Sequence, residues 1–228
     1  MDHSHLGDIL TRLEGNPLER LPRVDTELSG YLESMTRIDP DDLAPPDALA
    51  FWMNVYNAAA LRLAASAARA GVGSVLGLPG AFTQPAVSVA GEDLSLDGIE
   101  HGKIRRFRDP RIHAGLVCGS ASCPSLPRRP FGGDIEDRLD ERMRRFLHDG
   151  AMRLSPGSGE IALSPVFSWF GGDFTRPHNM PTLVPAPRRS VLRALTRWLD
   201  AGTSEWIVHA RPRVRWDRYD WRLGCAVG

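Results

Sequence analysis

The sequence has almost no lysine. Of its 28 basic residues, all but Lys103 are arginine. A GC-rich coding sequence produces this bias. The sharper alternative is an arginine surface for phosphates, but no arginine cluster is joined to a phosphate loop. The glycines of GVGSVLGLPG (71–80) neither follow a strand nor lead into GK[ST], which excludes a P-loop. Net charge is absent too, with 28 acidic residues balancing the basic ones, so nothing in the global balance points to nucleic acid or an anionic membrane. Three cysteines are too few for a disulfide scaffold. The opening MDHSHLGDILTRLEG lacks the basic start and apolar stretch of a signal peptide. The longest apolar-rich run, 58–75, is broken by Arg62, Ser66 and Arg69, so no segment reads as membrane-spanning. These absences lead us to expect a cytoplasmic protein with reduced thiols. GxSxG, HExxH and EF-hand patterns are missing, as are internal repeats.

What is present is ordinary globular material: 228 residues, 42% apolar and 25% charged, enough for a real core. Leu6, Ile9, Leu10 and Leu13 have the spacing of a short amphipathic helix. The proline- and acid-rich residues up to Pro46 read as short helix and loop. A strong, alanine-rich helix is expected over 47–70, closed by Gly71. PAVSVAGEDLSL alternates like a hairpin turning at Gly91, and Ser95 is placed to cap a helix over 96–107. IHAGLVCG (112–119) reads as a buried strand, 134–148 as a helix and 155–174 as a turn, a short strand and a short helix. Residues 189–201 read as a last helix stopped by Gly202, and WIVHARPRVRWDRYDWRL has strand character. Helices and strands do not alternate as in a parallel sheet. The expected fold is therefore α+β, a single domain with helices packed around a small, mostly antiparallel sheet.

Several residues fit chemistry as well as packing. Asn54 and Asn57, three apart, share one face of the long helix, where buried amides must find partners. They either tie the helix to neighbouring backbone or orient a catalytic group. Glu100 interrupts the apolar stripe Leu96, Ile104, Phe107 and so needs a partner. His101 lies four residues after Asp97, within ion-pair reach on a helix. In DPRIHAGLVCGSASCP, strand alternation puts His113 and Cys118 on opposite faces, which opposes a simple dyad. Cys118 then reads as a small buried hydrophobe. Cys123 precedes Pro124 and is a candidate for a helix N-terminus, where a thiol turns reactive. The C-x4-C spacing would serve zinc only if residues such as His101 and His113 supplied a second pair of ligands. Asp217, Tyr219, Asp220 and Trp221 form a polar-aromatic cluster near the end.

Five motifs in order, AFWMNVYNA, LSLDGIEHGKIR, DPRIHAGLVCGSASCPSL, VFSWFGGDF and YDWRLG, resemble the DUF547 family, a domain of unknown function. The resemblance runs from about residue 47 to 224, giving an N-terminal helical extension over 1–45 and a DUF547-like domain over 46–228. The positions matching its motifs are Asn54, Asn57, Glu100, His101, Arg111, His113, Cys118, Cys123, Pro124, Asp173, Tyr219, Asp220 and Trp221. The last motif departs from the family pattern, which is similar to YDWSLN. The resemblance brings no activity with it.

The residues themselves suggest a cysteine-dependent enzyme for hydrolysis or acyl transfer at an amide, ester or thioester. Cys123, or else Cys118, is the nucleophile, His101 or His113 the base, and Glu100 or an asparagine the orienting group. Asn54, Asn57, Arg111, Tyr219 and Asp220 would bind or orient the substrate. Papain-like and transglutaminase-like sites use the same three parts in another chain order. The expected partner is a small-molecule or peptide substrate, with no cofactor, metal, nucleic acid or membrane, and with oligomeric state open. The alternatives are a non-catalytic ligand- or protein-binding domain with structural cysteines, a zinc-binding protein, and thiol redox chemistry.

Overall fold

Proline at the first helical position starts two of the first three helices. The chain begins with α1 (Ser4–Leu13), α2 (Pro17–Met35) and α3 (Pro45–Arg69). The computed structural model describes residues 2–176, 185–224 and 227. The described chain divides into two compact units, one of residues 1–107, 115–138 and 220–228, the other of 108–114 and 139–219.

In the first unit, α3 is the central element. Every residue from Ala48 to Leu61 is buried, so the helix is covered all round. Its alanines let neighbouring chain approach closely. Helix α2 packs along it through a stripe of Leu21, Val24, Leu28, Tyr31, Leu32 and Met35. The sequence reading of loop and short helix here missed this 19-residue helix, because Pro17 and Pro22 resemble breaks. Pro17 takes the first helical position, where no internal bond is lost, and Pro22 sits inside the helix, which continues past the one bond it forgoes.

The expected hairpin forms: β1 (Pro85–Val89) pairs antiparallel with β2 (Glu92–Ser95). It turns at Ala90 and Gly91, both at positive φ (49° and 81°), as the tight hairpin turn requires. The Ser95 hydroxyl accepts from Gly98 N–H at 3.0 Å and caps α4 (Leu96–Ile99). A π-turn (Glu100–Ile104) and a 3-10 turn (Arg105–Phe107) continue this helix. Residues 112–119 are not the expected strand. The Asp109 carboxylate caps a 3-10 turn over Pro110–Ala114, and the chain beyond it up to α5 makes two isolated bridges, Ser120 with Leu223 and Leu126 with Val227. Helix α5 (Ile135–Phe146) carries the boundary between the units within its own length.

The second unit holds β3 (Met152–Ser155), β4 (Glu160–Leu163), α6 (Val166–Trp169), α7 (Gly171–Thr175), α8 (Arg188–Leu195), α9 (Ala201–Ala210) and β5 (Arg213–Trp216). β3 and β4 are antiparallel, and β5 joins β4 in parallel. The core beside this sheet is built from Met143, Phe146, Ile161, Leu163, Phe167, Phe174, Val191, Leu195 and Val214. The start of the final segment, expected as strand, is helical. Asp200 caps α9 by accepting from Thr203 N–H at 2.8 Å, so Gly202 sits in a first turn instead of ending a helix. Only Arg213–Trp216 is strand. Among the described residues the fold is α+β, with nine helices and two small sheets.

Candidate active site

The asparagines of α3 replace strand neighbours. Asn54 donates to Phe131 O and accepts from Phe131 N–H, both at 2.9 Å. Asn57 donates to Gly115 O at 2.9 Å and accepts from Val117 N–H at 3.1 Å, bracketing Leu116. Both residues are buried. Asn57 therefore supplies the pairing that a sheet partner would give, and fixes the segment that leads into Cys118.

The other side of that segment is fixed by the tail. Ala121 N–H donates to Arg222 O at 2.9 Å, Gly224 N–H to Gly119 O at 3.0 Å and Asp220 N–H to the Ser122 hydroxyl at 2.8 Å. Asp220 also holds the Arg222 guanidinium. The contact is close: a Cβ on Gly224 would lie 2.6 Å from Ala121 Cα. Thus the closing glycine of YDWRLG matches the tight approach of this tail to the turn. Gly119, at φ +80°, makes the bend after Cys118 that favours glycine.

Within this anchored turn the two thiols, which form no disulfide, share polar partners. Cys118 N–H donates to Cys123 Sγ at 3.0 Å. The Ser120 hydroxyl, itself buried, donates to Cys123 Sγ at 3.4 Å and lies 3.1 Å from Cys118 Sγ. The Ser120 hydroxyl thus links the two sulfurs, donating to Cys123 and lying within bonding distance of Cys118, where either atom can donate. Both cysteines are half-buried. Cys118 is thus not the fully buried hydrophobe expected. Cys123 does not start a helix either, because Pro124 and Pro127 lead into irregular chain. Its donors come from Cys118 and Ser120 in place of a helix terminus.

Tyr56, one position before Asn57 on α3, reaches the same neighbourhood. Its hydroxyl donates to Glu100 Oε2 at 3.2 Å. Burial pushes its phenol well above the usual range, and negative charge on Glu100, Cys118 and Cys123 pushes the same way. It remains a neutral donor. Glu100 opens the π-turn, a rare helical form that often marks functional positions. His101 is exposed, and its Nδ1 lies 3.0 Å from Arg105 Nη1 rather than making the expected Asp97 pair. A cavity of about 450 Å³ opens in this unit between Asp39, Trp52, Glu92, Lys103, Arg106 and Phe107, and neither cysteine lines it. Lys103 pairs with Glu92 and lies over the Trp52 ring, 5.6 Å from its centre.

The second unit has its own polar centre. His113 Nε2 lies 2.9 Å from Asp173 Oδ2, with the imidazole side chain 2% exposed and stacked on Phe170 at 3.9 Å between ring centres. An imidazole oriented by a carboxylate is the arrangement a general base needs. Arg111 is gripped by Asp109 and Asp140, and Asp140 also accepts from Trp198 Nε1 at 2.9 Å. The Trp198 bond, followed by Arg111, holds the Asp140 carboxyl below the usual carboxylate range. Tyr219 packs on Trp169 at 4.8 Å.

Of the residues singled out from sequence, Glu100 accepts from Tyr56, whose phenol also feels the charge of Cys118 and Cys123, and Asn57 braces the segment that carries the thiols. Asn54 braces Phe131, Asp220 locks the tail, and His101 lies at the surface. Arg111, His113 and Tyr219 belong to the second unit. Sequence reasoning missed Tyr56 and Ser120 and took Asp173 only as a motif position. The signal for Tyr56 was its place between two buried amides, and for Ser120 its place between two cysteines. Cys225 lies outside the described residues.

Among the described residues, no group of three or more His, Cys, Asp or Glu side chains is gathered for a metal ion, and no helix is long and apolar enough to cross a membrane. No curated protein and no solved structure gives a match. The family model described as "Protein of unknown function, DUF547" matches residues 40–147, which hold Tyr56, Glu100 and both thiols, while the VFSWFGGDF and YDWRLG motifs lie beyond the match. Over this segment the match supports the resemblance to the DUF547 family.

Proposed function

We propose that the chain is a cysteine-dependent enzyme for hydrolysis or acyl transfer at an amide, ester or thioester, with Cys123 as its nucleophile. One observation carries this reading. Cys123 Sγ is the end point of two donors, Cys118 N–H and Ser120 O–H, on a turn anchored by Asn57 and the tail. Donors aimed at a sulfur favour the thiolate, and the thiolate is the form that attacks. Cys118 donates its backbone N–H to Cys123 Sγ, which makes it the weaker candidate. Tyr56 and Glu100 supply a buried phenol and carboxylate beside the sulfurs. His101, in the same unit as the thiols, lies against Arg105, and His113 pairs with Asp173 in the second unit.

The test uses p-nitrophenyl acetate. The expected result is a burst of nitrophenolate with one acetyl group on Cys123, located by mass spectrometry of the tryptic peptide 112–128. The burst should vanish in Cys123→Ser and persist in Cys118→Ser. An acetylation rate at Cys123 no higher than that of a small-molecule thiol at the same pH refutes the nucleophile assignment. Parallel His101→Ala and His113→Gln variants assign the imidazole.

A further inference from the structure

The arrangement that holds Cys123 also places a second thiol to react with it. We propose that Cys118 and Cys123 form a peroxide-oxidisable dithiol pair, with Cys123 as the oxidised and Cys118 as the resolving residue. This shares the Cys123 sulfur with the acyl-transfer reading but none of its chemistry.

Two distances carry the proposal. Cys123 Sγ lies 3.0 Å from Cys118 N, so it is no more than about 4.5 Å from Cys118 Cα, given an N–Cα bond of about 1.46 Å. The Ser120 hydroxyl bonds to both sulfurs, so these are at most about 6.5 Å apart, against about 2 Å in a disulfide. Closing the gap asks for rotation of the Cys118 side chain from Ser120 toward Cys123. The turn is held in place meanwhile, by Asn57 on one side and by residues 220–224 on the other. Both thiols are half-buried, which leaves them open to an oxidant as small as hydrogen peroxide.

The chemistry balances with peroxide as the oxidant. The Cys123 thiolate attacks one peroxide oxygen, the O–O bond breaks, and with one proton a water leaves, giving Cys123 sulfenic acid. Cys118 sulfur then attacks Cys123 sulfur. The S–S bond forms, and the sulfenic hydroxyl leaves with the Cys118 proton as a second water. The two thiols lose two electrons and peroxide gains them. A dithiol reductant restores both thiols by exchange.

The experiment treats the full chain, in a Cys225→Ser background, with hydrogen peroxide, blocks remaining thiols with N-ethylmaleimide and digests with trypsin. Both cysteines fall in the single peptide 112–128. The expected peptide has lost two hydrogen atoms, takes up no maleimide and regains both thiols in dithiothreitol. In Cys118→Ser the expected product is Cys123 sulfenic acid, trapped by dimedone, with sulfinic acid following on longer exposure. A wild-type peptide that only gains oxygen atoms, keeps both maleimide sites or links two copies of the chain overturns the proposal. The readout is mass rather than turnover, so failure of acetyl transfer leaves this result standing, and the converse holds too.

Discussion

Replacing Asn57 by alanine removes two bonds at once, one to Gly115 O and one from Val117 N–H. Both backbone groups belong to buried residues. A buried backbone group left unsatisfied costs about 1–3 kcal/mol, so the variant should lose roughly 2–6 kcal/mol. Against a total of about 5–15 kcal/mol for a typical domain, this is severe but survivable. Asn54→Ala removes an equivalent pair at Phe131 and should lose a similar amount. The two variants differ in what else they disturb. Asn57 holds the residues leading into Cys118, whose N–H points at Cys123 Sγ. Asn54 holds a segment beyond the thiols.

Urea unfolding measures the stability loss, and the rate of Cys123 alkylation by iodoacetamide across pH measures the thiol. Both alanine variants should be destabilised alike. Only Asn57→Ala should move the midpoint of the alkylation profile upward, as the Cys118 donor loosens. Asn57→Asp sharpens the test. Ionised, it still accepts from Val117 N–H but turns an oxygen toward the Gly115 carbonyl. Protonated, it can donate there. Its stability relative to Asn57→Ala should therefore rise as pH falls. If Asn54→Ala shifts the alkylation profile as much as Asn57→Ala, the bracing role assigned to Asn57 is wrong.

Other outcomes follow from the same geometry. Burial holds His3 down to about 4 from its ordinary 6.5, against Tyr31 OH at 2.8 Å. The unfolded chain thus binds a proton first, and stability should fall as pH drops from 6.5 to 4, by at most about 3 kcal/mol. His3→Gln should flatten that limb in urea midpoints measured across pH; an unchanged slope would show that His3 is not its source. Tyr31 and Tyr56 both have phenols raised by burial. In the native chain both should resist ionisation near pH 10 and titrate at 295 nm only as the fold opens, so stability is present below pH 10 and is lost as pH rises beyond it. Early, reversible ionisation of all three tyrosines would contradict this. In the second unit, Asp173→Ala leaves His113 Nε2 without its carboxylate. A loss of about 1–3 kcal/mol is expected in urea unfolding, and no loss would mean that the pair contributes nothing to the fold.

Local signals were legible in the sequence, and distant partners were not. The Ser95 cap, the Ala90–Gly91 turn and the α3 boundaries depend on neighbours a few residues away, and each follows from its own short stretch. Residues 112–119 did not. A buried apolar run carries no period that separates strand from other buried chain, and the group that pairs it, Asn57, lies 58 residues earlier. α9 was misread because Trp206, Ile207 and Val208 favour strand, while Asp200, outside that window, fixes the helix start. The prolines of α2 were weighed as breaks, whereas Pro17 takes its first position and the helix continues past Pro22.

The same rule explains the site. A tyrosine within an alanine-rich helix reads as core, and Tyr56 is indeed buried. What sets it apart is where its hydroxyl ends, on a carboxylate 44 residues away. Ser120 looks like a turn residue, and only the approach of two sulfurs gives its hydroxyl a direction. The sequence reading offered Cys123 the donors of a helix terminus, whereas its donors are the Cys118 N–H and the Ser120 hydroxyl. A helix terminus would have activated Cys123 through a dipole that any thiol at that position could use. The observed turn instead aims the backbone N–H of the other cysteine at its sulfur. Any change that repositions Cys118 must therefore change Cys123, and the acyl and redox readings meet at that one N–H···S bond.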